Sequence, residues 1–309
     1  MTYPLRQHGR FDYSGITERP DSSWPEGRRL AVYIALNHEH FSFGDGLGAN
    51  LAPPQPQPDV LNHAWREWGN RVGAWRMLEM LDALQLPCAA LVNTSLLDHA
   101  PQLVRACVER GHELVGHGHT NAQRQADLDE AGEASLLRDA RSRFAQAGYP
   151  APSGWLSPWI SETAHTPDLL VECGYGYTLN WCHDDQPTRM RTRSGTPLWS
   201  IPYPQELNDI PAVMARLVSG REFADMVVDQ YEEMLSQSDG QPLVMGIALH
   251  PYIVGQPHRL LHLRRALQHL RSHAGLPRTW WTTPGAIHRW VAQQAGAWDP
   301  FSPAAPSRA

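Results

Sequence analysis

The sequence contains no lysine, few cysteines and no long hydrophobic run. All 26 basic residues are arginines. This excludes a lysine Schiff base and a phosphate loop, whose G-K-[ST] motif requires the lysine. The four cysteines, Cys88, Cys107, Cys173 and Cys182, form no C-x-x-C pair. We therefore expect neither a disulfide framework nor a structural zinc site.

Charge and hydropathy exclude two further classes of partner. The net charge is −6 without an acidic or basic block, so nucleic acid is not expected as a partner. No stretch reaches the roughly 18 apolar residues of a membrane helix, so no membrane partner is expected either. The first residues lack the apolar centre of a signal peptide, and this predicts a cytoplasmic protein.

The hydrophobic pattern alternates between strands and helices over most of the 309 residues. Strands are predicted over residues 29–37, 88–95, 112–118, 153–158, 177–181, 198–203, 242–250 and 279–283. Helices are predicted over residues 71–84, 101–110, 129–147, 166–174, 221–237, 258–273 and 284–295. Such alternation is typical of α/β proteins with parallel strands and crossover helices.

About seven such units fit one closed or nearly closed β/α barrel over residues 29–295. A doubly wound open sheet is the alternative. Residues 1–28 and 296–309 are interpreted as an N-terminal arm and a C-terminal tail, and residues 43–62 as a Pro/Gly-rich loop.

Uncommon polar residues follow the ends of four predicted strands. They are Asn37, Glu39, His117, Asn121, Asn180, Trp181 and His250. In a parallel barrel the carboxyl ends of all strands lie on one rim, where such folds place their active sites. A carboxylate accompanied by two histidines supplies a base and an acid, a combination that suits hydrolysis.

The motifs in this series resemble those of the polysaccharide deacetylase (NodB-homology, carbohydrate esterase family 4) superfamily. In "LNHEHF", Asn37 and Glu39 stand where that superfamily has a base and a metal-binding aspartate. In "HGHTN", His117 keeps the first metal-binding histidine, whereas Asn121 replaces the second. The resemblance implies a distorted (β/α)7-type barrel and hydrolysis of a non-peptide carbon–nitrogen bond.

The later motifs are also partly kept. "WLSP" retains Pro158 but has Leu156 in place of the usual arginine, "LNW" retains Trp181 with Asn180 in place of aspartate, and "IALH" retains His250. "WGNRVG" (68–73) and "IPYPQELND" (201–209) resemble the branch with metal-independent bacterial allantoinase and cyclic-imide hydrolases. That branch implies ring opening of a small cyclic amide, imide or ureide, and a homo-oligomer.

Without a metal, side chains must activate the water and bear the developing oxyanion, and this hypothesis assigns roles to individual residues. Glu39 is expected to have a raised pKa and act as general base, and His250 to protonate the leaving nitrogen. His117, with Asn37 or Asn121, is expected to donate hydrogen bonds to the oxyanion. Substrate contacts are expected from the residues Asn37, Asn121, Trp155, Pro158, Asn180, Trp181 and Arg71, although Arg71 also fits a solvated helix arginine.

The cofactor remains open between none, which is favoured, and a divalent metal such as zinc. Zinc prefers nitrogen, sulfur or carboxylate ligands over the amide oxygen of Asn121. A remaining metal site would consist of Glu39, His117 and His119, since alternate residues of an extended segment share a side. Two other functions stay in view: metal-dependent N-deacetylation of an amino sugar or polysaccharide, and non-catalytic binding on the same scaffold.

Overall fold

The structure is a computed structural model that describes residues 6–298. Within that range one sheet has the order β6-β7-β5-β4-β3-β2-β1-β8, and β9 also pairs with β1. Its strands are β1 (Leu30–His38), β2 (Ala89–Val92), β3 (Glu113–Gly116), β4 (Gly154–Trp155), β5 (Tyr177–Thr178), β6 (Thr188–Met190), β7 (Leu198–Ser200), β8 (Leu243–Leu249) and β9 (Thr279–Thr282). Their pairings are parallel except β6 with β7.

Helices connect these strands. They are α1 (Val60–Trp68), α2 (Ala74–Leu84), α3 (Leu96–His99), α4 (Pro101–Glu109), α5 (Glu130–Gln146), α6 (Thr166–Glu172), α7 (Gly220–Gln237), α8 (Pro257–Ser272), α9 (Pro284–Gln293) and α10 (Ala295–Trp298). Local signals fix several helix starts: Asp59 caps α1, and Ser219 and Glu222 form a reciprocal capping box at α7.

Strand β1 separates the two main hydrophobic layers. Leu30, Val32, Ile34 and Leu36 pack with the helices, whereas Ala31, Tyr33 and Ala35 belong to the cluster on the other side of the sheet. Side chains alternate along a strand, so Asn37 and Glu39 continue on the side of Ala35. The predicted alternation of β1 therefore places both polar residues at the inner end of the barrel.

The barrel is closed by loops at one seam. β8 and β6 stand at opposite ends of the hydrogen-bonded strand order. Between them, Val244 N donates to Asp185 O at 2.8 Å, and Ala248 N donates to Leu207 O at 2.9 Å. The predicted distorted α/β barrel is confirmed as a curled sheet, and the order β1 to β5 runs in one direction without the reversal of a doubly wound fold.

Several predicted boundaries were wrong. The loop that was predicted over 43–62 ends at Asp59, where α1 begins, and a π-helical turn, Gly69–Gly73, joins α1 to α2. Strand β6 and a second π-helical turn, Ile210–Ala215, were not predicted, because neither carries a clear period. The domain limits 29 and 295 remain predictions, and residues 1–5 and 299–309 of the proposed arms lie outside the described range.

None of the described helices is both long and apolar enough to cross a membrane.

Candidate active site

Glu39 is the centre of a buried polar cluster at the carboxyl ends of β1, β3 and β8. Its side chain is 5% exposed. Asn121 Nδ2 donates to Glu39 Oε1 at 2.5 Å, and the Tyr252 hydroxyl donates to Glu39 Oε2 at 2.5 Å. The backbone carbonyl of Glu39 accepts a hydrogen bond from Asn70 Nδ2 at 2.8 Å. Two donors thus hold the carboxylate, and a third holds the backbone that carries it.

The "WGNRVG" turn explains how Asn70 reaches Glu39. Its glycines let the π-helical turn lie directly against the chain that follows β8. A Cβ added at Gly69 would lie 2.8 Å from Tyr252 N, and one at Gly73 would lie 2.2 Å from Pro251 O. Real side chains do not tolerate such distances. The motif thus supports the site structurally, by packing beside Tyr252.

His250 connects Glu39 to a second carboxylate. Its Nε2 lies 3.4 Å from Glu39 Oε1, and its Nδ1 lies 2.6 Å from Asp209 Oδ1. Asp209 Oδ2 also accepts a hydrogen bond from the backbone N–H of His250 at 2.8 Å. The ring orientation of His250 is therefore set by Asp209, and its free edge faces Glu39.

These contacts decide the charge states of the three groups. Burial alone raises the pKa of Glu39, but His250 and His117 outweigh it and hold that pKa well below its usual range. Burial opposes protonation of His250, whereas Asp209 and Glu39 raise the pKa of His250 to about 10. Burial raises the pKa of Asp209. At neutral pH Glu39 is a carboxylate beside a protonated His250, so the raised pKa expected for Glu39 was wrong.

His117 also faces the Oε1 atom of Glu39. Its Nδ1 lies 2.7 Å from the carbonyl oxygen of Leu156, so Nδ1 carries the proton that is donated. Its Nε2 lies 3.6 Å from Glu39 Oε1 and has no hydrogen-bond partner among the described residues. In the neutral ring Nε2 is therefore an acceptor, and it donates only if the ring is protonated.

Asn121 stands at the family's second histidine position, and its hydrogen bonds do not fit a metal ligand. Its Nδ2 donates to Glu39, and its Oδ1 accepts from Asn93 Nδ2 at 3.0 Å. Thus the amide presents hydrogen rather than oxygen towards the position that a metal would share with Glu39 and His117. A zinc ion needs three lone pairs directed at one point, and this arrangement supplies two.

His119 does not replace the missing ligand. Its Nδ1 lies 2.9 Å from Thr94 Oγ1, and its side chain is absent from the cavity lining. The predicted set of Glu39, His117 and His119 is therefore not assembled, because Gly118 has a positive φ of 67° and breaks the extended alternation. Among described residues, metal-type spacing of three side chains occurs only at the surface group Glu232, His269 and His273.

A cavity of about 250 Å³ opens onto Glu39, His117 and His250. Its other lining residues are mostly apolar or uncharged: Asn37, Phe41, Ala49, Asn121, Leu156, Ser157, Trp159, Ile160, Tyr203, Gln205, Asn208, Ile210, Pro211 and Tyr252. No arginine in residues 6–298 lines it. Asn37 lies in its wall, where Nδ2 donates to Tyr203 Oη and to Leu249 O, both at 3.2 Å.

Five predicted substrate contacts lie outside the cavity. Arg71 is on the surface, where it pairs with Glu67 at 2.9 Å. This agrees with the alternative interpretation of Arg71 as a solvated helix arginine. The remaining four, Trp155, Pro158, Asn180 and Trp181, are not among the lining residues. Trp155 is fully buried and donates to Gln125 Oε1 at 2.9 Å, because its indole fills the space beneath the rim.

Asp209 and Tyr252 were not predicted as site residues. Asp209 lies at the end of the quoted "IPYPQELND" segment, and Tyr252 lies two residues after His250. A usable signal existed for Asp209: it is an acidic residue in the loop after a predicted strand, on the rim that carries His250. No such signal marks Tyr252, because only the chain path after β8 turns its hydroxyl towards Glu39.

The sequence and fold match known proteins that share this arrangement of strands. The family model for polysaccharide deacetylase matches residues 67–178. The crystal structure of Puue allantoinase is 25% identical, with a TM-score of 0.76, and the match covers 94% of this chain and 98% of that one. Residues 67–178 carry a domain of the polysaccharide deacetylase superfamily.

Two other members extend the comparison. A peptidoglycan deacetylase of Helicobacter pylori is 22% identical over 240 residues, which cover 68% of this chain and 81% of that protein. The structure of a probable polysaccharide deacetylase from Pseudomonas aeruginosa has a TM-score of 0.78 at 23% identity, and the match covers 94% of this chain and 99% of that one. This superfamily member is an enzyme, a hydrolase of non-peptide carbon–nitrogen bonds, so non-catalytic binding is set aside.

Proposed function

We propose that this enzyme opens the ring of a small, uncharged cyclic amide, imide or ureide by hydrolysis, without a bound metal. The observation that carries the proposal is the Glu39–His250 pair at the end of a cavity of about 250 Å³. Apolar residues and amides form most of the wall, and no described arginine lines it to bind an anionic substrate. The likeness to Puue allantoinase supports the same choice of substrate class.

The reaction uses Glu39 as the base. A water molecule between Glu39 Oε1 and the substrate carbonyl gives a proton to the carboxylate as its oxygen attacks the carbonyl carbon. His117 Nε2 faces Glu39 Oε1 at 3.6 Å, and its ring is fixed by the bond from Nδ1 to Leu156 O, so Nε2 is placed to hydrogen-bond the same water. We therefore assign His117 to orienting the water rather than to the oxyanion.

Protonated His250 completes the reaction as the acid. Its Nε2 proton first stabilises the developing oxyanion and then passes to the ring nitrogen as the carbon–nitrogen bond breaks. The proton on Glu39 returns the site to its starting state by passing to His250, 3.4 Å away. Water is added across one bond, and both ends stay in one product molecule. An imide or ureide needs less activation than an acetamide, which suits a site where the imidazolium of His250 is the cation that residues 6–298 supply.

Product mass distinguishes the candidate reactions. Purified protein is incubated separately with allantoin, succinimide, hydantoin and an N-acetylglucosamine oligomer, and the products are analysed by mass spectrometry. A product heavier by one water with no released fragment supports ring opening. Released acetate would overturn it in favour of deacetylation, the reaction after which the Helicobacter pylori peptidoglycan deacetylase is named.

A further inference from the structure

Two consecutive residues at the cavity wall have a left-handed backbone without being glycine. Trp159 has a φ of 63° and Ile160 a φ of 51°, and both side chains line the cavity. This conformation is uncommon for any residue with a Cβ and an outlier for a β-branched one. Such strain persists only where the surrounding structure enforces it, and it is concentrated at functional sites.

A half-buried clamp of hydrogen bonds enforces this conformation from the side of β5. Asn180 Oδ1 accepts from Ser157 N at 2.8 Å, while Asn180 Nδ2 donates to Glu162 Oε2 at 2.7 Å. Trp181 Nε1 donates to Glu162 Oε1 at 2.6 Å. The clamp therefore grips the chain immediately before and immediately after Trp159 and Ile160, across residues 157–162.

The indole of Trp159 is held from the front as well. Its Nε1 donates to the carbonyl oxygen of Asn121 at 2.9 Å, and 40% of the residue remains exposed at the cavity mouth. Pro158 packs beside this contact, since a Cβ on Gly118 would lie 2.5 Å from Pro158 Cγ. The turn thus joins the Asn121 segment and closes one side of the cavity.

We propose that the turn of residues 157–162 is the size filter of this enzyme. The clamp of Asn180, Trp181 and Glu162 holds Trp159 and Ile160 across the space that a bulky or polymeric substrate would need. The filter admits compact rings and excludes rings with large substituents. Asn180 and Trp181 are accordingly positioning residues that act through this turn. The choice of compact rings as substrates rests on the proposed function.

Strain in the turn is tested without any substrate. Trp159→Ala and Trp159→Gly both remove the indole, but only glycine adopts a φ of 63° freely. We expect Trp159→Gly to have a Tm about 2–3 °C above that of Trp159→Ala. In an ordinary backbone position alanine equals or exceeds glycine, and that order would overturn the enforced turn.

The filter is tested with a pair of substrates, hydantoin and 5-benzylhydantoin. Removing the indole in Trp159→Ala is expected to raise kcat/KM for the benzyl compound relative to hydantoin at least 10-fold, chiefly through KM. Trp290→Ala is the matched control, since the Nε1 of Trp290 likewise donates to a backbone carbonyl, that of Ser23, at 3.0 Å. It should leave the ratio unchanged.

The clamp is tested with Glu162→Ala, which leaves the active-site residues intact. This variant should also raise kcat/KM for 5-benzylhydantoin relative to hydantoin. An unchanged ratio in Trp159→Ala would overturn the filter even if hydantoin is opened normally. If the wild-type enzyme opens neither compound, the proposed function fails on that result, and the order of the two Tm values still decides whether the turn is enforced.

Discussion

Asn121 Nδ2 donates a hydrogen bond to Glu39 Oε1 at 2.5 Å, in the place where the superfamily motif has a metal-binding histidine. This bond replaces a shared metal ion by a direct contact between the two side chains. It also turns the amide so that Asn93 can satisfy its oxygen. The contact has a direct consequence for metal dependence.

Chelation is expected to leave activity intact. Because Asn121 offers N–H groups rather than a lone pair to the Glu39–His117 side, turnover should be unchanged after dialysis against EDTA and after addition of zinc. Metal content by mass spectrometry and ring-opening rates before and after dialysis check this. A loss of rate that zinc restores would contradict it.

Replacing Glu39 by glutamine is expected to lower kcat about 10²–10⁴-fold, because the amide cannot accept the water proton. Hydantoin or allantoin turnover provides the rates, and circular dichroism confirms folding. Glu232→Gln on the surface is the control, and its kcat should match the wild type. Equal turnover in Glu39→Gln would remove Glu39 from the mechanism.

The pH profile is expected to have its alkaline limb near the pKa of His250, about 10. The acid His250 must be protonated, so kcat/KM should fall as pH rises through that value. The pKa of Glu39 is depressed, so the carboxylate stays ionised through the neutral range and only strongly acidic pH removes it. A flat region across neutral pH follows, measured as kcat/KM in overlapping buffers.

Asp209→Asn should move that alkaline limb to lower pH. Removing the carboxylate that lies 2.6 Å from His250 Nδ1 takes away a major cause of its raised pKa, and we expect a shift of about one unit or more. Asp168→Asn is the control, because it also removes a paired carboxylate. Asp168 pairs with Arg10, and neither residue lines the cavity. An unmoved limb would show that His250 is not the titrating acid.

Stability should follow the same linkage. The folded-state pKa of His250 is raised, so its contribution is fully present below about 6.5 and is lost as pH rises through about 10. The pKa of Glu39 is depressed, so its contribution is present above about 4.5 and is lost on acidification. Chemical unfolding at several pH values measures both, and Asp209→Asn should flatten the alkaline decline.

Gly73→Ala is expected to destabilise the fold by about 1–3 kcal/mol and to lower activity, because its Cβ would lie 2.2 Å from Pro251 O and displace Tyr252. Urea unfolding and turnover measure the two effects. Gly240→Ala is the control, since its Cβ would meet nothing closer than Gln237 O at 3.7 Å. Comparable stability of the two variants would contradict the packing argument.

The sequence predicted those features of the site that depend on neighbouring residues, and it missed those that depend on contacts between distant segments. The alternation in β1 is local, and it correctly put Asn37 and Glu39 on one side. The position of His250 followed from the end of a long apolar strand. In contrast, Asp209 and the Trp159 turn depend on contacts between distant segments. The direction of the Glu39 pKa was missed for the same reason, since it depends on two histidines brought from other strands.

The loop segment that closes the barrel beside β8 can change its sequence without changing the sheet. Residues 201–209 contact β8 without forming one of its strand pairings along the sheet, apart from a single bridge between Asn208 and Ala248. Insertions or substitutions in that segment can therefore change how Asp209 meets His250 while the sheet keeps its register. The proton affinity of the acid can thus diverge between related enzymes through one segment, independently of the barrel that carries it.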